Sequence, residues 1–529
     1  MSTASSRIVV IGGGFSGLAS AGLLAASGHQ VTLLEQHPSL GGRSGRLHRE
    51  GFNFDTGPSW YLMPEVFEHW FRLMGSSVDQ HLDLRQLPVG YRTFFEARHS
   101  PVDVGTGTQV QDLFEQLEPG SAPALAKYLD RAATGYQLAR DHFLYDDFNT
   151  LKGLAHPAIA RHALTLASLL ANNLQGYVAK RFRNPQLRQI LGYPAVFLGS
   201  SPRRTPALYQ LMSHLDLTQG VQYPMGGFAA LADAMGDLAQ SRGVEIKLGA
   251  TATKIETGRR PETTVEAVRW VDSDGRQQRI EADAVIGAAD LHHLEGELLD
   301  PSLHTYPAKS WKSKDPGPSA VLLCLGVTGH LPELEHHNLF FTKDWDDNFA
   351  RIHEGRDLAA STSIYVCKPS ATDPSAAPEG HENLFILVPA PALPHWGSGG
   401  ADGQGDEMVE RVADAAIEQL AQWAKIPDLR ERIVVRQSIG PADFASQYGA
   451  FQGSALGLAH TLGQSAFLRP QNRSSKVSGL YFAGSSVRPG IGVPMCLISG
   501  ELAAKAVNGI STPGAIDETW WTQKYGVKL

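Results

Sequence analysis

Gly12, Gly14 and Gly17 stand at G-x-G-x-x-G spacing directly after the β-branched run Ile8, Val9, Val10 and Ile11, a combination able to hold the diphosphate of a dinucleotide. Gly12 permits a tight turn, Gly14 lets backbone approach a pyrophosphate, and Gly17 lets the next helix pack close to the strand. That helix is predicted over the apolar run 18–26, and its first N–H groups have no helical partner and are offered to the phosphates. A second strand, HQVTLLEQ, ends in Glu35, about 20 residues on, where a carboxylate can accept both ribose hydroxyls.

Gly41, Gly42 and Arg43 follow the acidic strand almost at once, where a plain nicotinamide domain would continue into another crossover helix. A second glycine loop beside an arginine suits a longer ligand that passes its phosphates and reaches on toward a ring system. The pattern GG-R followed by FNFDTGP resembles the flavin amine oxidase and carotenoid desaturase superfamily. That resemblance implies FAD, with Arg43 on the flavin phosphates and Gly57, Pro58 and Ser59 near the flavin.

Stepping from the loops to the elements that carry them, 529 residues with 42% hydrophobic and 19% charged residues allow two or three domains with sizeable cores. The fold class expected is α/β: a Rossmann-like FAD-binding domain built from discontinuous segments, a mixed-sheet substrate domain, and a helical membrane-facing insertion. The division expected is 1–110 for the first FAD-binding segment, 111–225 for the helical insertion, 226–310 for the second FAD-binding segment, 311–470 for the substrate sheet and 471–529 for the last FAD-binding segment. The second segment reads as a turn at Gly226 and Gly227, a helix to about Arg242, and strands over 244–248, 251–255 and 284–288, the last leading to Asp290. The runs SAVLLCLGV, SIYVCK and ENLFILVPA read as strands of the second sheet, and 480–483 as a strand before a helix that starts near Val493. No internal repeat is evident.

Cys324, Cys367 and Cys496 lie far apart without a CxxC pair, so no metal site and no disulfide framework is expected, only buried thiols in a reducing compartment. The N-terminus has no charged leader ahead of a long apolar core, and no apolar stretch approaches the ~20 residues of a spanning helix. A cytoplasmic protein, peripherally attached to a membrane, is expected.

From Phe148 through Leu215 there is no Asp or Glu, while Lys152, Arg161, Lys180, Arg181, Arg183, Arg188, Arg203 and Arg204 are basic, in a chain of net charge −8. Within this stretch HALTLASLLANNLQGYVAKRF places Leu164, Leu166, Leu169 and Leu170 at helical spacing and ends in cations. A helix with an apolar face and a basic rim can lie in the headgroup layer of an anionic membrane. The alternative is that these leucines are core and the cations a solvated face.

The C-terminal third narrows the chemistry. DPSAAPEG at 373–380, FQGSA at 451–455, QSAFLRPQNR at 464–473 and RPGIGVP at 488–494, in that order, resemble the bacterial and fungal phytoene desaturase family, nearly end to end. The resemblance implies an FAD oxidoreductase acting on CH–CH groups, which dehydrogenates the acyclic hydrocarbon phytoene stepwise toward lycopene on a membrane. It also implies Gly484 and Ser485 at the ribityl and phosphate part of FAD, Val493 near the isoalloxazine, and Ala252 and Thr253 on the adenine side. Many members carry histidine where this chain has Arg488. A hydrocarbon without charge or hydrogen-bonding groups must be recognised by an apolar tunnel and oriented by shape. No proton acceptor is assigned: His142, Asp141 and His214 lie in the insertion without a catalytic role. The electron acceptor is a quinone or O2, and no nucleic-acid partner is expected. The alternatives are a desaturase of C30 or hydroxylated carotenoids, a carotenoid isomerase or ketolase, a flavin amine oxidase, and a non-enzymatic carotenoid carrier.

Overall fold

The computed structural model describes residues 5–96, 98–147, 157–259, 262–359 and 361–527. Its first sheet has five parallel strands in the spatial order Leu480–Phe482, Ala284–Gly287, Arg7–Ile11, Gln30–Glu35 and Glu245–Leu248. The central strand is buried from Ile8 onward, as its unbroken β-branched run requires when helices cover both faces. Three distant stretches of chain therefore make one sheet. Helix Phe15–Ala26 is apolar almost all round and buried nearly throughout. One side meets helix Val493–Val507, where a Cβ at Gly500 would lie 2.7 Å from the Ser16 carbonyl oxygen and 2.8 Å from the Ala19 methyl.

The second sheet has seven strands, in the order Ile433–Ile439, Ser319–Thr328, His381–Ala390, Ile364–Cys367, His337–Phe341, Tyr91–Phe95 and Val102–Val104. It is mixed, because Tyr91–Phe95 runs parallel to His337–Phe341. These last two strands come from the portion of sequence read as the first nucleotide segment, a departure from the division drawn above. Phe94 stacks on Phe340 with ring centroids 4.4 Å apart, and this cross-strand pair draws the early segment into the later sheet.

The stretch 111–225 is mostly helical, but the single amphipathic helix read over 162–182 is two. Helix Pro157–Ala171 stops, and helix Leu174–Ala179 starts at Asn173, whose side chain accepts the Gly176 N–H at 2.8 Å. Asparagine satisfies a helix start better than a helix interior, so the NN pair breaks the element. Leu169 packs in the core, Leu170 is exposed and Leu166 is intermediate; Lys152 and the Leu164 side chain lie outside the described residues. Among the described residues no helix is long and apolar enough to cross a membrane.

The C-terminal helix Glu518–Tyr525 is clamped through His69, whose Nδ1 lies 2.8 Å from Glu518 and whose Nε2 lies 3.2 Å from Glu501. Burial opposes the imidazolium, yet the two carboxylates outweigh it and raise the pKa to about 9. A histidine with a raised pKa contributes stability that is complete below its unfolded value, about 6.5, and lost as pH rises through the folded value. The parent is therefore expected to lose on the order of 2 kcal/mol between pH 7 and pH 10. His69→Gln should flatten that part of the profile, and thermal melts of both proteins across the range check it.

Candidate active site

One continuous cavity of about 790 Å3 runs from the glycine loops of the first sheet to the face of the second. At its nucleotide end the walls are Gly12, Gly14, Glu35, Gly42, Arg43, Ala252, Gly484, Ser485 and the first turn of helix Val493–Val507; Gly57, Pro58 and Ser59 line its middle. Gly17 lies behind the wall. A Cβ there would fall on the Gly12 carbonyl oxygen, well inside contact distance, so glycine is required for helix and turn to meet. Gly57 is required for the same reason against the Arg43 carbonyl. Thr253, read as a backbone contact on the adenine side, is exposed and does not line the cavity. Strand Thr251–Arg259 is irregular between Ala252 and Lys254, and Thr251 lines the wall in its place.

Glu35 does more than its position implied. Its two carboxylate oxygens accept the Gly13 N–H at 2.6 Å and the His37 N–H at 2.8 Å. The side chain thus braces the glycine loop and still has lone pairs toward the cavity. The second glycine loop lies against the first: Gly41 donates to the Gly13 carbonyl at 3.0 Å. From it Arg43 crosses to the C-terminal loop, donating to Ser485 Oγ at 3.1 Å and lying 3.5 Å from Asp290. Asp290 also accepts the His292 N–H at 3.0 Å and the Ser486 hydroxyl at 3.3 Å. Sequence reading noted Asp290 at a strand end without giving it a role; its signal is the polar cap that follows a buried parallel strand.

These residues fit a dinucleotide. Arg43 Nε is buried with no hydrogen-bond partner, helix Phe15–Ala26 has no side-chain cap at Gly14, and a helix start of this kind favours an anion.

Beyond Ser59 the walls are hydrocarbon: Leu62, Met63, Phe143, Leu166, Phe197, Leu208 and Met212 among them. The polar groups that remain are held uncharged or tied down. Ser59 Oγ, Tyr365 Oη and His337 Nδ1 form a chain with spacings of 2.6 and 2.7 Å. His460 accepts the Ile491 N–H on Nε2 at 3.1 Å, which leaves Nδ1 to donate to the Tyr209 oxygen at 2.7 Å. Burial holds both His337 and His460 well below the usual imidazole range and raises the Tyr365 phenol. Arg488 is buried on the wall, donating to the carbonyls of Phe467, at 2.7 Å, and Asp147. His142, Asp141 and His214 do not line the cavity. Cys324 and Cys367 are buried, whereas Cys496 is half-buried on the wall beside Val493.

A solved oxidoreductase from Methanosarcina mazei superposes with a TM-score of 0.61 at 17% identity, over 95% of this chain and 100% of that one. Putrescine oxidase bound to putrescine gives 0.59 at 15% identity, over 96% and 99%. At such identities the likeness establishes the fold. The family model described as flavin containing amine oxidoreductase matches residues 15–508. Carotenoid 3,4-desaturase of Haloarcula japonica is 41% identical over 501 residues, which is 94% of this chain and 97% of the relative. The 4,4'-diapophytoene desaturase (4,4'-diaponeurosporene-forming) of Staphylococcus aureus is 31% identical over 500 residues, again 94% and 97%. The chain belongs to the flavin containing amine oxidoreductase family and, within it, to the carotenoid desaturases. Its cofactor is FAD.

Arg43→Ala is expected to lower FAD affinity at least tenfold, the ~1.4 kcal/mol that a charge-assisted hydrogen bond supplies, with little change in the melting temperature of the apoprotein. Fluorescence titration of apoprotein with FAD, beside a thermal melt, measures both.

Proposed function

We propose that this protein is an FAD-dependent carotenoid desaturase that binds its cofactor through Gly12, Gly14, Glu35, Arg43, Ala252 and Ser485 and draws an acyclic polyene along the apolar lobe of the cavity. What carries the reading is the junction at Ser59, where a dinucleotide cradle opens into a hydrocarbon-walled space. Among the described residues lining the cavity the carboxylates are Glu35 and Asp290, both at the nucleotide end. An ammonium in the apolar lobe would therefore find no counter-charge, which counts against an amine substrate.

Bound FAD supplies a hydride acceptor for an allylic C–H bond. The protein's part is to align and to exclude water. Apolar walls give roughly 25 cal/mol per Å2 buried, ample affinity for a long hydrocarbon but no polar handle to fix its position. Trp60 stacks on His337 with centroids 4.6 Å apart, so a rigid aromatic plate flanks the lobe beside Ser59. Tyr209, locked by His460, forms another fixed surface.

The motifs in the C-terminal third favour phytoene as substrate and lycopene as the end of the sequence of steps. A second reading, 3,4-desaturation of an already conjugated carotenoid, is favoured by the 41% identity to a relative of that name. Coexpression in a phytoene-accumulating host decides between them. Red lycopene supports the first; unchanged phytoene, with a red-shifted product when lycopene is supplied, supports the second. Failure of the bound flavin to bleach anaerobically with either substrate would leave only a carrier.

A peripheral membrane position is part of the proposal, in a revised form. Leu170, Leu462, Phe467 and Leu468 are 43%, 57%, 58% and 50% exposed, and Leu170 and Phe467 also line the cavity. These side chains make an apolar rim at an entrance, suited to lying in the lipid that stores the substrate. Lys180 and Arg183 are exposed, while Arg181 lies on the Tyr177 ring at 3.5 Å. Replacing Phe467 and Leu468 with Ser, or Lys180, Arg181 and Arg183 with Glu, is expected to lower sedimentation with anionic liposomes several-fold while flavin content stays at the parent level. Equal sedimentation of parent and both variants would remove the membrane from the account.

A further inference from the structure

Arg469 is 1% exposed and pairs with no carboxylate among the described residues, while the residues outside that set include no Asp or Glu. Four backbone carbonyls take its N–H groups: Val487 at 3.0 Å, Gln464 at 3.0 Å, Leu458 at 2.9 Å, and Ser485. The fork laces the loop that bears Gly484 and Ser485 to two other segments, so it has an evident mechanical use. Mechanics alone does not account for the charge. A buried cation without a counter-ion is expensive, and a neutral donor could bridge carbonyls at less cost. Burial pushes this guanidinium down to about 10, a measure of how poorly the surroundings compensate it.

The missing anion has a natural location. Ser485, His460 and Cys496 line the cavity; Arg469 grips the first through its carbonyl, and its field acts on the other two. On the same wall, helix Val493–Val507 begins at Gly492 with no side-chain cap, which adds the positive end of a fifteen-residue helix to that side. Arg469 from behind the wall and the helix start on the wall thus act on one region of the cavity, beside the loop assigned to the flavin's ribityl and phosphate part and the Val493 position assigned to its ring. Oxidised flavin is neutral at the ring. FAD held here would accept a hydride from the substrate and so carry one negative charge at the ring, while the proton lost from the neighbouring substrate carbon would pass to solvent outside the apolar lobe.

We propose that Arg469 is a positioning residue that also supplies the fixed positive charge favouring the reduced, anionic state of the bound flavin. This rests on the FAD reading given above. The test is the midpoint potential of the flavin in the holoprotein, measured by anaerobic spectroelectrochemical titration for the parent, Arg469→Lys and Arg469→Met, with FAD affinity and melting temperature recorded alongside. Arg469→Met should lose at least a tenfold preference for the reduced cofactor, which for a two-electron couple is a potential about 30 mV more negative. Arg469→Lys keeps the charge with a poorer fork, and should stay within threefold of the parent even where its melting temperature falls. If Arg469→Met does not fold, Arg469→Gln, which keeps an N–H donor for the carbonyls without the charge, takes its place with the same expectation. A neutral variant with an unchanged potential, or a lysine variant shifted as far as the neutral one, would overturn the proposal. A parent protein that takes up no FAD would instead overturn the reading beneath it.

Discussion

Two helices that are remote in sequence touch where the later one has no room for a side chain, and the cavity depends on that contact. Gly500 lets helix Val493–Val507 settle on the Ser16 carbonyl and the Ala19 methyl of helix Phe15–Ala26. With the two axes that close, the loop preceding the later helix lies over the glycine turn preceding the earlier one. Arg43 can then reach Ser485, and Asp290, arriving from a third segment, completes the junction.

The same molecule has to solve two recognition problems with opposite physics. At the glycine-loop end of the cavity, Glu35, Arg43 and the open helix starts offer charge and directed hydrogen bonds. In the apolar lobe a single stray charge would bind water more tightly than any polyene could displace it. Burial keeps the lobe dry by holding His337 and His460 neutral and Tyr365 protonated. The Tyr365 hydroxyl meets Ser59 and His337 Nδ1, and His460 meets Tyr209 and the Ile491 N–H, while His337 Nε2 is buried without a partner.

Much of this was legible from the residues. The run Ile8 to Ile11 reads as a strand buried on both faces, and the strands near 284 and 480 are apolar runs of the same kind, whereas 245–248 alternates apolar with charged residues. The glycine pair with Arg43 stood out because glycine and arginine there answer a steric and a charge requirement that are local, and both line the cavity. What escaped was decided by partners far along the chain. Nothing near Tyr91 announces that Phe94 will stack on Phe340, and nothing near Arg488 says that two carbonyls will occupy it. The break at Asn173 was visible in principle, since the NN pair is a cap signal, but the leucine periodicity on either side outweighed it. Thr253 was misplaced by one pleat, through an irregularity in a strand whose partner lies beyond a turn.

Arg488 fastens the loop at Phe467 to the cavity wall, and reaches a second anchor at Asp147. The doorway and the hearth therefore share a single beam. A molecule whose width prised the threshold apart would tug on the floor under the ring, so admission of an oversized guest would disturb the seat before the guest arrived.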